Sequence, residues 1–166
     1  MLVAIATCEI LLLGLLIAGA VLDIATFRLP NWLTAATAAL ALPWLLLTTV
    51  LWPGMALHLL AGAIMMGIGI LAFRFNLMGG GDAKWLGSLA LWTGLNLDLA
   101  RFLILTTVFG GILGLVVLLI GRLGVAYGLL NGKQHLPYGV AIALAGLDFW
   151  LRRGQLGQQL MALYGS

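Results

Sequence analysis

Two aspartates border apolar segments of this chain and are of the type that could work together as an acid pair. Asp23 ends the first long apolar run, and Asp82 follows the triplet Gly79-Gly80-Gly81. Ionisable groups in or beside apolar segments are costly to keep there, so each is a functional candidate. Paired carboxylates suit peptide hydrolysis by water, because an ionised one takes the water proton while a protonated one polarises the carbonyl.

The elements that must position this pair are membrane-spanning helices. Of the 166 residues, 63% are hydrophobic and 8% are charged, whereas a soluble domain carries about 25% charged residues. The sequence therefore predicts an all-α, polytopic integral membrane protein with residues 1–166 in one domain. The single cysteine, Cys8, excludes an internal disulfide and a Cys-rich zinc site. The net charge of +3 is dispersed, which argues against nucleic acid as a partner.

Six apolar runs are predicted to be transmembrane helices, since a spanning helix needs about 20 apolar residues. The fourth and sixth are shorter than the others, and Trp52-Pro53-Gly54 is predicted to join the second and third as a hairpin. The runs are Leu2–Leu22, Trp32–Trp52, Gly54–Phe73, Lys84–Leu97, Phe102–Ile120 and Leu136–Leu151.

The number of crossings indicates which acids can meet. Asp23 ends the first span and Asp82 begins the fourth, so two crossings separate them and both lie at one membrane face. Asp98 and Asp148 fall at the opposite ends of their spans. Glu9 precedes Asp23 by 14 residues, or about 21 Å of helix, and is expected to face the bundle interior and pair with another helix. Among the five acids, only Asp23 and Asp82 are predicted to form a pair.

The helix ends predict different protonation for these two acids. Asp82 begins a helix, whose N-terminal dipole favours the anion, so we expect it to be the base. Asp23 ends a helix and is expected to carry the shared proton. The glycine triplet would let an extended substrate backbone approach Asp82, and Lys84 would screen the acids or hold an acidic substrate group. In the alternative reading, the acids are helix caps or partners of Arg28 or Lys84.

Other polar and aromatic residues carry weaker predictions. Ser88 has only Lys84 nearby as a base, so a Ser-Lys dyad is a poorly supported alternative. His58 is expected to be packed, and His135 to be solvated. The six tryptophans are expected to be interfacial anchors. They are Trp32, Trp44, Trp52, Trp85, Trp92 and Trp150.

Basic residues indicate the orientation, because cytoplasmic loops carry an excess of Lys and Arg. The face of the aspartate pair has five cations against three on the other face, which predicts that the pair faces the cytoplasm. The five are Arg28, Arg74, Lys84, Arg122 and Lys133, and the three are Arg101, Arg152 and Arg153.

Three segments resemble the type IV prepilin peptidases, which are Gly-x-Gly-Asp intramembrane aspartyl proteases. They are Asp23-Ile-Ala-Thr-Phe-Arg28-Leu-Pro30-Asn31, Gly79-Gly80-Gly81-Asp82-Ala-Lys84 and Leu136-Pro137-Tyr138-Gly139. The last is most similar to short enzymes that serve Tad/Flp pili.

The resemblance implies six helices with catalytic Asp23 and Asp82, and the other residues of the three segments in supporting roles. Those supporting residues are Arg28, Pro30, Asn31, Gly79, Gly80, Gly81, Lys84, Pro137 and Gly139. It also implies cleavage of short basic leaders from prepilins at the cytoplasmic face of the bacterial inner membrane, with lipids as the other partners and neither metal nor cofactor. The Cys-rich insertion of longer members is absent, so methyl transfer is not expected.

Two other function classes stay open from the residues alone. A small ion-coupled transporter would also need intramembrane acids, although nearer the midplane. A non-catalytic pilus or secretion assembly protein would use the many small residues for helix packing and would not require both aspartates.

Overall fold

The computed structural model describes residues 1–48, 52–122 and 138–164, and the regular structure in these ranges is α-helical. Seven helices are present there. They are α1 (Leu2–Thr26), α2 (Asn31–Leu47), α3 (Gly54–Arg74), α4 (Gly80–Thr93), α5 (Leu97–Arg122), α6 (Tyr138–Arg153) and α7 (Gln155–Tyr164).

The protein is an all-helical, polytopic membrane protein. Within the described ranges, α1, α3 and α5 are long and apolar enough to cross a bilayer. The helices α2, α4 and α6 have 17, 14 and 16 residues and rise about 1.5 Å per residue. They are shorter than a hydrocarbon core of about 30 Å. The six predicted spans correspond in order to α1–α6, and α7 is an additional helix that the hydropathy pattern did not predict.

The fourth helix begins earlier than predicted. The predicted apolar run begins at Lys84, but α4 runs from Gly80 to Thr93 and ends where Gly94 has a φ of 72°. Asp82 consequently lies inside the first helical turn and not in a preceding loop. At the start of α2, Pro30 is the N-cap and Asn31 is the first helical residue.

Helix α4 is the centre of the bundle. It packs most extensively against α3, then against α2, and also contacts α5 and α6, while α1 packs against α2 and α6. The second and third spans, predicted to form a hairpin, meet where the ring of Trp44 of α2 lies 6.3 Å from that of His58 of α3, and both helices pack extensively on α4. This arrangement places the start of α4 beside the end of α1.

Glycines allow α3 and α4 to approach closely, as predicted for helix packing in lipid. A Cβ on Gly69 would lie 2.9 Å from the Cβ of Ala83, and one on Gly62 would overlap the side chain of Leu91. Gly67, on the same helix, faces open space.

Three of the tryptophans lie in the core, contrary to the prediction that they are interfacial anchors. Trp85, Trp92 and Trp150 are at most 4% exposed, whereas Trp32 and Trp52 are exposed. Their indole N–H groups find acceptors inside the protein: Trp85 donates to Thr37 Oγ1 at 3.2 Å and Trp92 to the Thr37 carbonyl at 3.0 Å. Burial is possible because each N–H has a partner.

Candidate active site

Asp23 lies in the last turn of α1 with its side chain turned into the protein. It is 3% exposed, and α1 ends three residues later at Thr26, because the next residue, Phe27, has a left-handed φ of 51°. The Val140 N–H, in the first turn of α6, donates to Asp23 Oδ2 at 3.3 Å. Gly139 makes this approach possible, since a Cβ there would lie 2.7 Å from the same oxygen.

Asp82 is the third residue of α4, after the N-cap Gly79. Its carboxyl group interacts with the backbone N–H of Gly79. This is the geometry by which an acidic residue at the third position reaches back to the start of its own helix. Asp82 is partly exposed, unlike Asp23.

The fold places the two carboxyl groups close enough for their charges to interact. Neither acid takes part in the ion pairs found among the described residues. Lys84 turns instead to α2, where its Nζ donates to Asn31 Oδ1 at 2.8 Å. The alternative in which these acids serve as partners of Arg28 or Lys84 therefore gains no support from the geometry.

The expected difference in protonation rests on an incomplete picture of the helix ends. Asp23 lies in the last turn of α1, as predicted, but its carboxylate also accepts an N–H from the start of α6. Each acid thus lies at a helix N-terminus, Asp82 at its own and Asp23 at that of α6, and both termini favour an anion. The assignment of the base to Asp82 stays a prediction.

The glycine triplet has a packing role, while its predicted role in admitting a substrate backbone stays a prediction. Each direction that a Cβ would take is occupied by protein: at Gly79 by Asp82 Oδ2, at Gly80 by the ring of Phe73, and at Gly81 by the backbone of Leu29. The distances to the nearest atoms are 2.7, 3.3 and 2.8 Å. These glycines let α3, the α1–α2 connection and the catalytic candidate itself close around the first turn of α4.

The remaining predicted supporting residues are divided between two positions. Pro30 and Asn31 lie at the start of α2, beside Lys84, and Gly139 lies against Asp23. Arg28 is exposed in the connection between α1 and α2. Pro137 lies outside the described residues, as does His135.

The Ser-Lys alternative is not supported by the contacts. Ser88 is buried, and its hydroxyl lies 2.9 Å from two possible acceptors, the carbonyl groups of Thr34 and Lys84. The Lys84 ammonium group is engaged with Asn31. His58 is packed as expected, with Nδ1 2.8 Å from the Leu91 carbonyl.

The other three acids lie away from the aspartate pair, as the crossing count predicted, and each has partners of its own. Asp148 binds Arg101 at 3.1 Å and Arg152 at 2.9 Å, and Asp98 binds Arg153 at 3.0 Å. Glu9 is buried near the beginning of α1. We call the end of the bundle with Asp23 and Asp82 the site end, and the end with Glu9, Asp98 and Asp148 the far end.

Val140 is the contact that the sequence did not reveal. A backbone N–H carries no side-chain signal, and the resemblance of Leu136-Pro137-Tyr138-Gly139 pointed only to the preceding residues. Together, a buried carboxyl group on α1 and a partly exposed one on α4 form a pair that can share a proton and hold a water molecule between acid and base.

Comparison with known proteins gives one match. A sequence model of the type IV leader peptidase family matches residues 10–119, a segment that contains both aspartates and the glycine triplet. The search of curated proteins and that of solved structures found no match.

Proposed function

This chain belongs to the type IV leader peptidase family, and from that premise we propose that Asp23 and Asp82 are its catalytic acids. The observation that carries the proposal is the meeting of these two carboxyl groups, from α1 and α4, with neither bound to a base in the described part of the chain. The proposed activity is that of an intramembrane aspartyl endopeptidase.

The proposed reaction uses the pair as general base and general acid. Asp82, ionised, takes a proton from water as the water oxygen bonds to the scissile carbonyl carbon. Asp23, protonated, donates to the carbonyl oxygen, giving a neutral tetrahedral diol. A hydroxyl group of the diol then returns a proton to Asp23, and Asp82 donates its proton to the nitrogen as the C–N bond breaks. Asp23 is then protonated and Asp82 ionised, as at the start. Proton transfer by positioned groups typically contributes 10²- to 10⁴-fold.

The proposed substrates are prepilins and pilin-like proteins with short basic leaders, including those of Tad/Flp pili. The partly exposed Asp82 gives a peptide access to the pair from the site end, where Arg28, Arg74 and Lys84 are also exposed. At the far end, all three arginines are paired with Asp98 or Asp148. Exposed cations at the site end support a cytoplasmic active site in the inner membrane. Methyl transfer is not part of the proposal.

The test is co-expression with a prepilin and separation of the precursor from the processed form on a gel. We expect Asp23→Asn and Asp82→Asn each to lower the cleavage rate by at least about 100-fold, because each removes one of two obligatory proton carriers.

Asp148→Asn is the matched control, since it changes an acid of the same chain at the far end and should leave cleavage within about 3-fold of wild type. Helical content and membrane insertion are compared for all variants. Full leader removal by a folded Asp23→Asn or Asp82→Asn protein would contradict the proposal.

A further inference from the structure

Glu9 is a buried carboxylate that the proposed reaction does not use. It is 2% exposed and lies near the start of α1, at the far end. Its two carboxylate oxygens accept the N–H groups of Gln155 and Leu156, at 2.9 and 3.1 Å, where α7 begins. Its carbonyl oxygen accepts the Trp150 indole N–H at 2.9 Å. Glu9 thereby binds α1 to the junction between α6 and α7.

The contacts between α1 and α6 repeat along one seam. At the site end Gly139 lies against Asp23, and midway Gly146 lies against Leu16, where an added Cβ would be 2.7 Å from a Leu16 methyl group. At the far end a Cβ on Gly154 would lie 3.3 Å from Glu9 Oε2.

Both sides of this seam advance by about two turns per contact. On α1 the partners are residues 9, 16 and 23, in steps of seven, and on α6 and its end they are 154, 146 and 139, in steps of eight and seven. Since two turns are about 7.2 residues and either step returns close to the same helix face, one antiparallel register satisfies all three contacts. The contact at Glu9 and the contact at Asp23 therefore belong to the same alignment.

We propose that Glu9 is a positioning residue for Asp23, which it serves by fixing the axial register of α6 against α1. This inference builds on the proposed function. A slip of one residue moves α6 by about 1.5 Å along its axis. The Val140 N–H, now 3.3 Å from Asp23 Oδ2, would then lose its acceptor, and the carboxyl group would lose its orientation.

Polar contacts at the far end single out Glu9 for this role. The ion pairs in the described ranges join α5 to α6 or lie within α6, and they do not involve α1. The midpoint contact of Gly146 with Leu16 is apolar and resists sliding only by shape. In the described part of the chain, Glu9 and Trp150 supply the polar connection between α1 and the end of α6.

The experiment compares Glu9→Ala, Glu9→Gln and Asp98→Asn in lipid nanodiscs. The first readout is the rate of prepilin cleavage as kcat and KM, and the second is the amide proton shift of Val140 in protein labelled with ¹⁵N-valine. We expect Glu9→Ala to lower kcat about 10- to 100-fold, because a misplacement near 1 Å is known to cost about 10². KM should change less than about 3-fold, and the Val140 amide signal should move upfield as its hydrogen bond lengthens.

Glu9→Gln keeps one acceptor oxygen, so its kcat and its Val140 amide shift should lie between those of Glu9→Ala and wild type. Asp98→Asn removes a carboxylate at the same end that holds α5 to α6, and it should match wild type in both. The proposal would be overturned if the Val140 amide shift were unchanged in folded Glu9→Ala. It would also be overturned if Asp98→Asn changed kcat and the Val140 shift as much as Glu9→Ala does. If Glu9→Ala does not fold, Glu9→Gln decides the question through the same two readouts, because its amide NH₂ group cannot accept one of the two N–H groups that the carboxylate accepts from Gln155 and Leu156; wild-type values of both would then overturn the proposal.

The two proposals can fail separately. If the wild-type chain cleaves no prepilin, the proposed function is wrong, and the Val140 amide still reports whether Glu9 sets the register. If the wild-type chain cleaves and the Val140 signal is insensitive to Glu9, the peptidase proposal stands and the positioning role is wrong.

Discussion

Single residues of α1 bind the starts of two other helices. Asp23 accepts the Val140 N–H of α6, and Glu9 accepts the Gln155 and Leu156 N–H groups of α7. A helix start leaves its first N–H groups without intrahelical partners, so each buried carboxylate satisfies donors that would otherwise be costly to bury. The same chemistry is structural at Glu9, while at Asp23 it holds a candidate catalytic group.

Gly139→Ala tests how closely Asp23 must be held. The new Cβ would come within 2.7 Å of Asp23 Oδ2 and 2.9 Å of Asp23 Cβ, so the carboxyl group would turn from Val140 and α6 would also have to move away from α1. We expect prepilin cleavage to fall at least about tenfold, corresponding to about 1.4 kcal/mol of lost transition-state stabilisation. The thermal midpoint should also fall, because the Asp23 Cβ is fixed to the backbone, so cleavage is measured well below that midpoint. Kinetics and thermal unfolding in nanodiscs check this.

Gly111→Ala is the control for that change, because no atom lies within 4 Å of the position of its Cβ. It should leave cleavage unaltered. Equal activity of Gly139→Ala and wild type would show that the contact between α6 and Asp23 has no catalytic consequence.

Helix α4 is the shortest of α1–α6 and also the most buried of them. Its tryptophans Trp85 and Trp92 donate to Thr37 of α2, and Trp85 also fills the space left by Gly19 of α1. The candidate base at the start of α4 is therefore positioned by contacts made along the body of the helix.

Gly19→Ala tests the contact between α1 and α4. Its Cβ would overlap the indole ring of Trp85, which is fully buried and has no free direction in which to move. We expect a loss of about 1–3 kcal/mol in the free energy of unfolding, the usual cost of overpacking. Gly14→Ala, on the same helix with open space around its Cβ, should have no such effect. Tryptophan fluorescence during unfolding measures both, and equal stabilities would contradict the packing.

The sequence contained enough information to predict the pairing of the aspartates, because hydropathy gives the number of crossings between Asp23 and Asp82. The sequence did not predict which face of each apolar helix contacts lipid and which face packs against protein, since both environments favour the same residues. That is why Trp85 and Trp92 were assigned to the interface. The partner of Glu9 was also missed, because α7 is too polar for a span and its contact with residue 9 is a tertiary one.

The molecule as a whole has unequal ends. At the far end, Arg101, Arg152 and Arg153 are ion-paired with two aspartates. At the site end, by contrast, Arg28, Arg74 and Lys84 are exposed and take part in none of the ion pairs found in the described ranges. Such an excess of exposed positive charge is typical of the cytoplasmic side of a membrane protein.

Cysteine labelling tests this orientation. In a Cys8→Ala background, Gln159→Cys on the exposed face of α7 should react with a membrane-impermeant maleimide added to intact cells. Leu77→Cys, at a position 72% exposed beside the site, should react only after the cells are lysed. The difference should be at least about tenfold, because the bilayer excludes the charged reagent. The reversed pattern would place the aspartate pair outside the cytoplasm.

Two of the three consecutive glycines, Gly80 and Gly81, lie in the first turn of α4 and give it a low intrinsic tendency to be helical. A glycine costs about 1 kcal/mol relative to alanine in a helix interior, so the turn that carries Asp82 is held by its surroundings more than by its own residues. The ring of Phe73 and the backbone of Leu29 are those surroundings. A bound peptide that displaced either one would shift the balance between coil and helix at this turn, which makes the placement of Asp82 sensitive to whether the site is occupied.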